Sequence, residues 1–147
     1  MKRRLSLPFA PIESRQQAVA LTRYSVVGFG IWGAVLLLQG GLVWGGYGTE
    51  PVEYRGATTG FAVFQAMIAA MAAFYQWRKP NRILPVFGLA WSLYELSSLM
   101  VGLAVGMPMA MGGLPSWAAG VTALAMFVCA IMHCAGLRSA SALLRMN

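Results

Sequence analysis

The chain has 147 residues, of which 59% are hydrophobic and only 10% are charged, and its mean hydropathy is +0.64. This balance excludes an ordinary soluble globular domain, in which about 25% of the residues are charged. The net charge of +7, taken alone, would be compatible with binding to nucleic acid. No soluble segment is long enough to carry a basic surface, so we do not expect nucleic acid as a partner.

Residues 1–23 are predicted to form a basic cytoplasmic leader that ends in a short helix over residues 14–23. Ala18 and Leu21 lie on one side of this helix, and Arg15 lies on the other. An amphipathic pattern of this kind is typical of a helix that lies in the membrane interface. We therefore predict a short N-terminal interfacial helix on the inner leaflet.

Four stretches almost without charge follow the leader: residues 24–45, 58–77, 83–106 and 118–137. At a rise of 1.5 Å per residue, each reaches about 30 Å or more, the thickness of the hydrocarbon core of a bilayer. The sequence therefore predicts an all-α fold, an integral membrane four-helix transmembrane bundle over residues 24–137. Residues 138–147 are predicted to form a short cytoplasmic tail that is a helical extension of the last span.

The basic residues predict the orientation of this bundle. Ten of the eleven Lys and Arg residues lie on one side of the four spans, and only Arg55 lies on the other. The positive-inside rule then places both termini, and the basic turn at residues 78–82, in the cytoplasm.

Small residues recur along the spans at steps that would place them at helix contacts. In lipid, such residues let helices approach closely, so we expect close packing with no large cofactor cavity, and partner helices from the same or another chain. The residues concerned are Gly30, Gly33, Gly40 and Gly41 in the first span and Ala62, Ala66, Ala69, Ala70 and Ala73 in the second.

Glu95 is the only acidic residue inside the four spans, and it lies near the middle of the third. A carboxylate at the bilayer centre costs about 2.5 kcal/mol or more, so such a residue usually faces the interior of a bundle. Gln65 and Gln39 lie at similar depth in the first two spans, and Tyr94 and Ser98 flank the carboxylate. These five residues form the candidate ligand site.

Three interpretations of this polar group stay open. The amides and the carboxylate could bond one another and fix the helix register, or Glu95 could face lipid without a role. In the functional interpretation, the group handles a proton or binds a polar head, such as the ring of a quinone or a lipid headgroup. No other cofactor is indicated.

His133 is the only histidine of the chain and lies in the fourth span. A membrane b-type haem is usually held by two histidines, so haem is not expected in this chain alone. Cys129 precedes His133 by four residues and shares its helix face, but a closed zinc site needs four ligands. We therefore expect a polar residue at a helix interface rather than a metal site.

Met107, Met109 and Met111 alternate in the second outer loop. Alternate residues of an extended chain point the same way, so three thioethers could converge on Cu(I). Methionine is also a common flexible apolar filler, which is the simpler explanation.

Part of the chain, residues 24–106, resembles a known family. The shared features are the outer-loop run Tyr54-Arg55-Gly56, Gly60 at the opening of the second span, and the basic turn Arg78-Lys79-Pro80-Asn81-Arg82. In these it resembles the DoxX-like family of small bacterial four-span membrane proteins. Residues 91–95 also resemble part of the membrane anchor of quinone-linked dehydrogenases. Both resemblances imply the bacterial inner membrane near a respiratory chain, and neither assigns a functional residue.

The leading functional prediction is a non-catalytic subunit or accessory protein of a membrane complex, with a quinone or lipid bound near Glu95. One alternative is a membrane enzyme or carrier that acts on a small hydrophobic substrate, with Glu95 as proton donor or acceptor. The other is copper handling through Met107, Met109 and Met111.

Overall fold

The structure is a computed structural model that describes residue 9, residues 11–105 and residues 113–146. It consists of four helices, α1 (Arg15–Trp44), α2 (Val52–Arg78), α3 (Ile83–Ala104) and α4 (Ser116–Arg145). No strand occurs among the described residues, and each of the four helices is long and apolar enough to cross a membrane. The prediction of an all-α fold with four helices of membrane-spanning length is confirmed.

The N-terminal segment differs from its prediction, because α1 runs without a break from the leader into the first span. Ser14 caps α1, and its hydroxyl accepts a hydrogen bond from the Gln17 backbone N–H at 3.2 Å. No Gly or Pro interrupts the helix between residues 15 and 23. Ala18 and Leu21 are fully buried, so this segment packs within the bundle and does not form a separate interfacial helix.

Two further helix boundaries also differ from the predicted spans. α2 begins at Val52 rather than at residue 58, after Pro51, whose fixed φ and missing N–H suit the residue that precedes a first helical turn. Glu53 in that first turn complements the positive end of the helix dipole. α4 continues beyond the predicted span to Arg145, which confirms the predicted helical extension of the chain over residues 138–145.

α1 is the central helix of the bundle. It packs against α2 on one side and α4 on the other, and α4 also packs against α3. Between α1 and α2, two of the four predicted glycines meet small residues: a Cβ at Gly33 would lie 3.6 Å from the Ala69 Cβ, and one at Gly40 would lie 3.0 Å from the Ala62 Cβ. A Cβ at Gly30 or Gly41 would meet nothing within 4 Å, so within the described chain the prediction is wrong for those two glycines. α2 and α3 form no comparable interface in the described part of the chain, although a short turn joins them.

Large apolar side chains cover the outward face of α2. Surfaces of this extent are rare on soluble monomers and typically face lipid or a partner. The exposed residues are Phe61, Phe64, Met67, Met71 and Phe74. The buried core instead centres on α1, where Phe29, Trp32 and Leu36 pack against Ala69 and Met126.

Candidate functional site

A cleft of about 370 Å³ opens between α2 and α3, the two helices that do not pack against each other. Residues of all four helices line it. Trp32 and Leu36 from α1 and Met126 from α4 contribute its apolar base, and Phe61 of α2 and Leu99 of α3 contribute to its two walls. The sequence predicted a closely packed bundle without a large cavity, and the structure differs from this prediction at the cleft.

Four of the five residues of the predicted ligand site line this cleft. Gln39 comes from α1, Gln65 from α2, and Tyr94 and Glu95 from α3. Ser98 is half-buried nearly one turn beyond Glu95 and is not part of the lining. The fold therefore brings together polar side chains from three separate helices.

Gln39 is held by α4 rather than by the other candidate residues. Its amide Nε2 donates to the Thr122 hydroxyl at 2.6 Å, and that hydroxyl donates to the carbonyl oxygen of Ala118 at 2.9 Å. No hydrogen bond joins Gln39, Gln65 and Glu95 to one another in the structure. Mutual bonding of the three therefore does not account for their presence in the spans.

Three buried polar atoms at the cleft have no hydrogen-bond partner: the indole N–H groups of Trp32 and Trp91 and the side-chain oxygen of Gln65. Trp32 is 4% exposed and Gln65 is 9% exposed, so bulk water does not satisfy them. Leaving one buried polar group unpaired costs about 1–3 kcal/mol. Three such groups around one cleft indicate a site that a ligand or bound water completes.

Glu95 supplies the only carboxylate among the residues that line the cleft. It is half-buried and makes no hydrogen bond of normal geometry to the described residues. Trp91 lies one helical turn before it, and its N–H is directed toward the carboxyl group without reaching such geometry. The carboxyl group is therefore available to a molecule in the cleft.

An aromatic cluster forms one side of the cleft. The rings of Trp32 and Trp91 are 5.3 Å apart between centroids at an interplanar angle of 38°, and Tyr94 lies 5.8 Å from Trp91. Flat aromatic walls favour a flat ligand ring by stacking. Trp32 and Thr122 were missed by the sequence analysis. The available signal was the position of Trp32, in mid-span rather than at an interface, where membrane tryptophans concentrate.

His133 belongs to a second buried polar group, nearer the basic end of the bundle. Its Nδ1 lies 2.7 Å from the Ser25 hydroxyl, and the edge of the Phe29 ring lies against it at 4.5 Å between centroids. Gly28 and Gly88 leave no room beside the imidazole ring. The histidine is 1% exposed and is packed between α1, α3 and α4.

The metal candidates do not converge in the described part of the chain. Cys129 donates its thiol hydrogen to the carbonyl oxygen of Gly28 at 3.2 Å, and no three His, Cys, Asp or Glu side chains come together among the described residues. Met107, Met109 and Met111 lie outside the described residues, so copper handling stays a prediction.

No protein-family model, curated protein or solved structure matches this chain. The resemblances to the DoxX-like family and to dehydrogenase anchors therefore stay predictions.

Proposed function

We propose that this protein is a bacterial inner-membrane protein, with both termini in the cytoplasm, that binds a quinone or lipid head in the cleft beside Glu95 as a non-catalytic subunit or accessory protein. Four helices of spanning length and an apolar outer face support membrane insertion. The one-sided distribution of Lys and Arg supports the orientation.

The unpaired polar atoms at the cleft carry the ligand proposal. The Trp32 indole N–H can only donate, so it needs an acceptor such as a ring carbonyl, and the Trp91 N–H beside Glu95 can donate to the same ligand. The Gln65 oxygen can only accept, and Glu95 accepts when it is ionised, so both suit a hydroxyl group. A quinone offers carbonyls and its reduced form offers hydroxyls on the same ring. The carbonyls of a quinone and the hydroxyls of its reduced form match the polar groups of the cleft better than a phosphate head, which an ionised Glu95 would repel.

The shape of the cleft supports the same ligand class. Its volume of about 370 Å³ is at the small end for ligand pockets and suits a ring rather than a complete lipid. The gap between α2 and α3 would let an apolar tail extend into the bilayer. A planar ring would stack on Trp32 and Trp91 in the aromatic cluster.

The test replaces the two cleft tryptophans by phenylalanine, which removes the N–H donors and keeps aromatic rings. Purified protein in lipid nanodiscs is titrated with ubiquinone, and binding is followed by native mass spectrometry. One net hydrogen bond contributes about 1 kcal/mol, so we expect Trp32→Phe and Trp91→Phe each to weaken binding about fivefold. Trp117→Phe is the matched control, since Trp117 is exposed and outside the cleft. Equal affinity in all variants would contradict the proposal.

A second candidate function is proton transfer to a bound substrate by Glu95, in a membrane enzyme or carrier. The observation in its favour is that the carboxyl group faces the cleft without a protein partner of normal hydrogen-bond geometry. Glu95→Gln keeps the size and removes the titratable proton. If Glu95 transfers a proton, the variant should bind ubiquinone yet fail to restore growth of a deletion strain. A variant that restores growth fully would exclude this role.

A further inference from the structure

The basic end of the bundle carries a groove that is separate from the cleft. α1 and α4 have 30 residues each and are therefore about 45 Å long, more than a hydrocarbon core requires. Ala18 and Leu21 of α1 and Ser139 and Ala140 of α4 are buried near these ends. The two helices thus continue as a packed pair beyond the start of α3.

The groove lies where this helix pair meets the turn between α2 and α3, and its volume is about 500 Å³. Val19, Leu143 and Leu144 give it an apolar floor, and Arg15 and Arg82 line it with positive charge. No acidic residue belongs to its lining. Neither arginine makes a hydrogen bond or ion pair through its side chain with the described residues.

Hydrogen bonds fix the turn that carries Arg82. The buried Gln76 side chain accepts from the Asn81 N–H at 3.3 Å and donates to the Asn81 carbonyl oxygen at 3.2 Å. The Asn81 side-chain oxygen accepts from the Leu84 N–H at 2.9 Å, which caps the start of α3. Arg82 is thus held at the depth where the third span begins.

We infer that this groove binds an anionic phospholipid, with its phosphate between Arg15 and Arg82 and one acyl chain along Val19, Leu143 and Leu144. Two guanidinium groups without a side-chain partner among the described residues, above an apolar floor, complement a molecule with an anionic head and a hydrocarbon chain. A soluble anion would leave the floor exposed to water. The inference rests on the proposed membrane placement and is independent of the cleft ligand.

The test uses native mass spectrometry of protein from nanodiscs that contain equal amounts of phosphatidylglycerol and phosphatidylethanolamine. The wild type should retain phosphatidylglycerol preferentially. The double variant Arg15→Gln/Arg82→Gln should lose this preference by about 30-fold, or about fivefold for each cation. Arg15→Lys/Arg82→Lys keeps both charges and should retain most of it, which separates lost charge from a disturbed fold.

The matched control is Lys79→Gln/Arg145→Gln, which removes two charges from the same end but outside the groove. We expect it to keep the wild-type preference. Equal loss in both glutamine pairs would assign the effect to general surface charge and overturn the site. Displacement of the lipid by excess inorganic phosphate would show a plain anion site, which also overturns the inference. When ubiquinone is added to the same nanodiscs, its retention reports on the cleft, so failure of either proposal is visible separately.

Discussion

Gly88 of α3 and Gly28 of α1 both lie against the imidazole ring of His133, which extends from α4. The ring is buried, and its polar contact is the Ser25 hydroxyl. The close packing of α1, α3 and α4 around this ring requires that Gly28 and Gly88 have no side chain and that Ser25 bonds to the imidazole. Single substitutions at these positions therefore test the packing.

We expect Gly88→Ala to destabilise the protein, because an added methyl group would overlap the His133 ring. Overpacking of this kind costs about 1–3 kcal/mol. The measurement is the midpoint of thermal unfolding in detergent. Gly30→Ala is the control, since a Cβ at Gly30 meets nothing within 4 Å. If the two variants unfold at the same temperature, Gly88 does not pack against the His133 ring.

Ser25→Ala should also destabilise the protein, since it removes the hydroxyl 2.7 Å from His133 Nδ1 and keeps the Cβ. A buried nitrogen left unpaired costs about 1–3 kcal/mol. Ser97→Ala removes an exposed hydroxyl that bonds only to Leu93 of its own helix and should have little effect. Unchanged unfolding of the Ser25 variant would show that the hydrogen bond does not contribute to stability.

At the scale of helices, the apolar runs predict how many elements there are, but not which of them pack together. The length and hydropathy of an apolar run are local properties of the sequence, so the number of helices follows directly from the four runs. Pairing depends on which faces complement each other: Gly33 and Gly40 face α2, whereas Gly30 and Gly41 face open space. Nothing in the sequence distinguishes the two glycines that contact α2 from the two that do not. The separation of α2 from α3, and with it the cleft, was unpredictable for the same reason.

The candidate site was predictable in part for a related reason. Glu95, Gln65 and Gln39 attract notice because polar groups are costly at mid-span depth. Trp32 and Thr122 are ordinary in spans, and only the fold shows that they border the cleft or bond to Gln39. The extension of α1 over residues 14–23 was missed because its apolar side packs within the bundle rather than on lipid.

The neighbouring glycines of α1 provide a matched test of the α1–α2 interface. Gly40→Leu should separate the two helices, because even a Cβ would lie 3.0 Å from that of Ala62, whereas Gly41→Leu points into open space. We expect the free energy of unfolding to fall by about 1–3 kcal/mol or more for the substitution at position 40 alone. Thermal unfolding in detergent measures the difference. Similar losses at both positions would contradict the assignment of the interface.

At the scale of the whole molecule, the described basic residues except Arg55 gather at one end of the bundle. The antiparallel neighbours produce this arrangement: Gln39 meets Thr122 at one end, and Ser25 meets His133 nearer the other. The bundle therefore has one strongly basic end and one nearly neutral end. This polarity is what fixes its expected orientation in a membrane.

A reporter that fluoresces only in the cytoplasm should be active when fused after Asn147 and inactive when inserted at Gly48. The reason is that the described Lys and Arg residues other than Arg55 lie at the end of the bundle where α1 begins and α4 ends. Fluorescence of cells that carry each fusion measures the orientation, with protein level checked by immunoblot. Activity at both positions, or at neither, would contradict the four-span topology.

The order of contacts has a consequence for biosynthesis. α1 and α2 are neighbours in sequence and in space, so they can pair while the ribosome is still extending the chain. α3 packs mainly against α4, which follows it in synthesis. A nascent chain that stops before Ser116 would leave α3 with no firm neighbour. Packing of α3 thus waits for α4, and a chain terminated before Ser116 should be cleaved by proteases more readily than the longer chain.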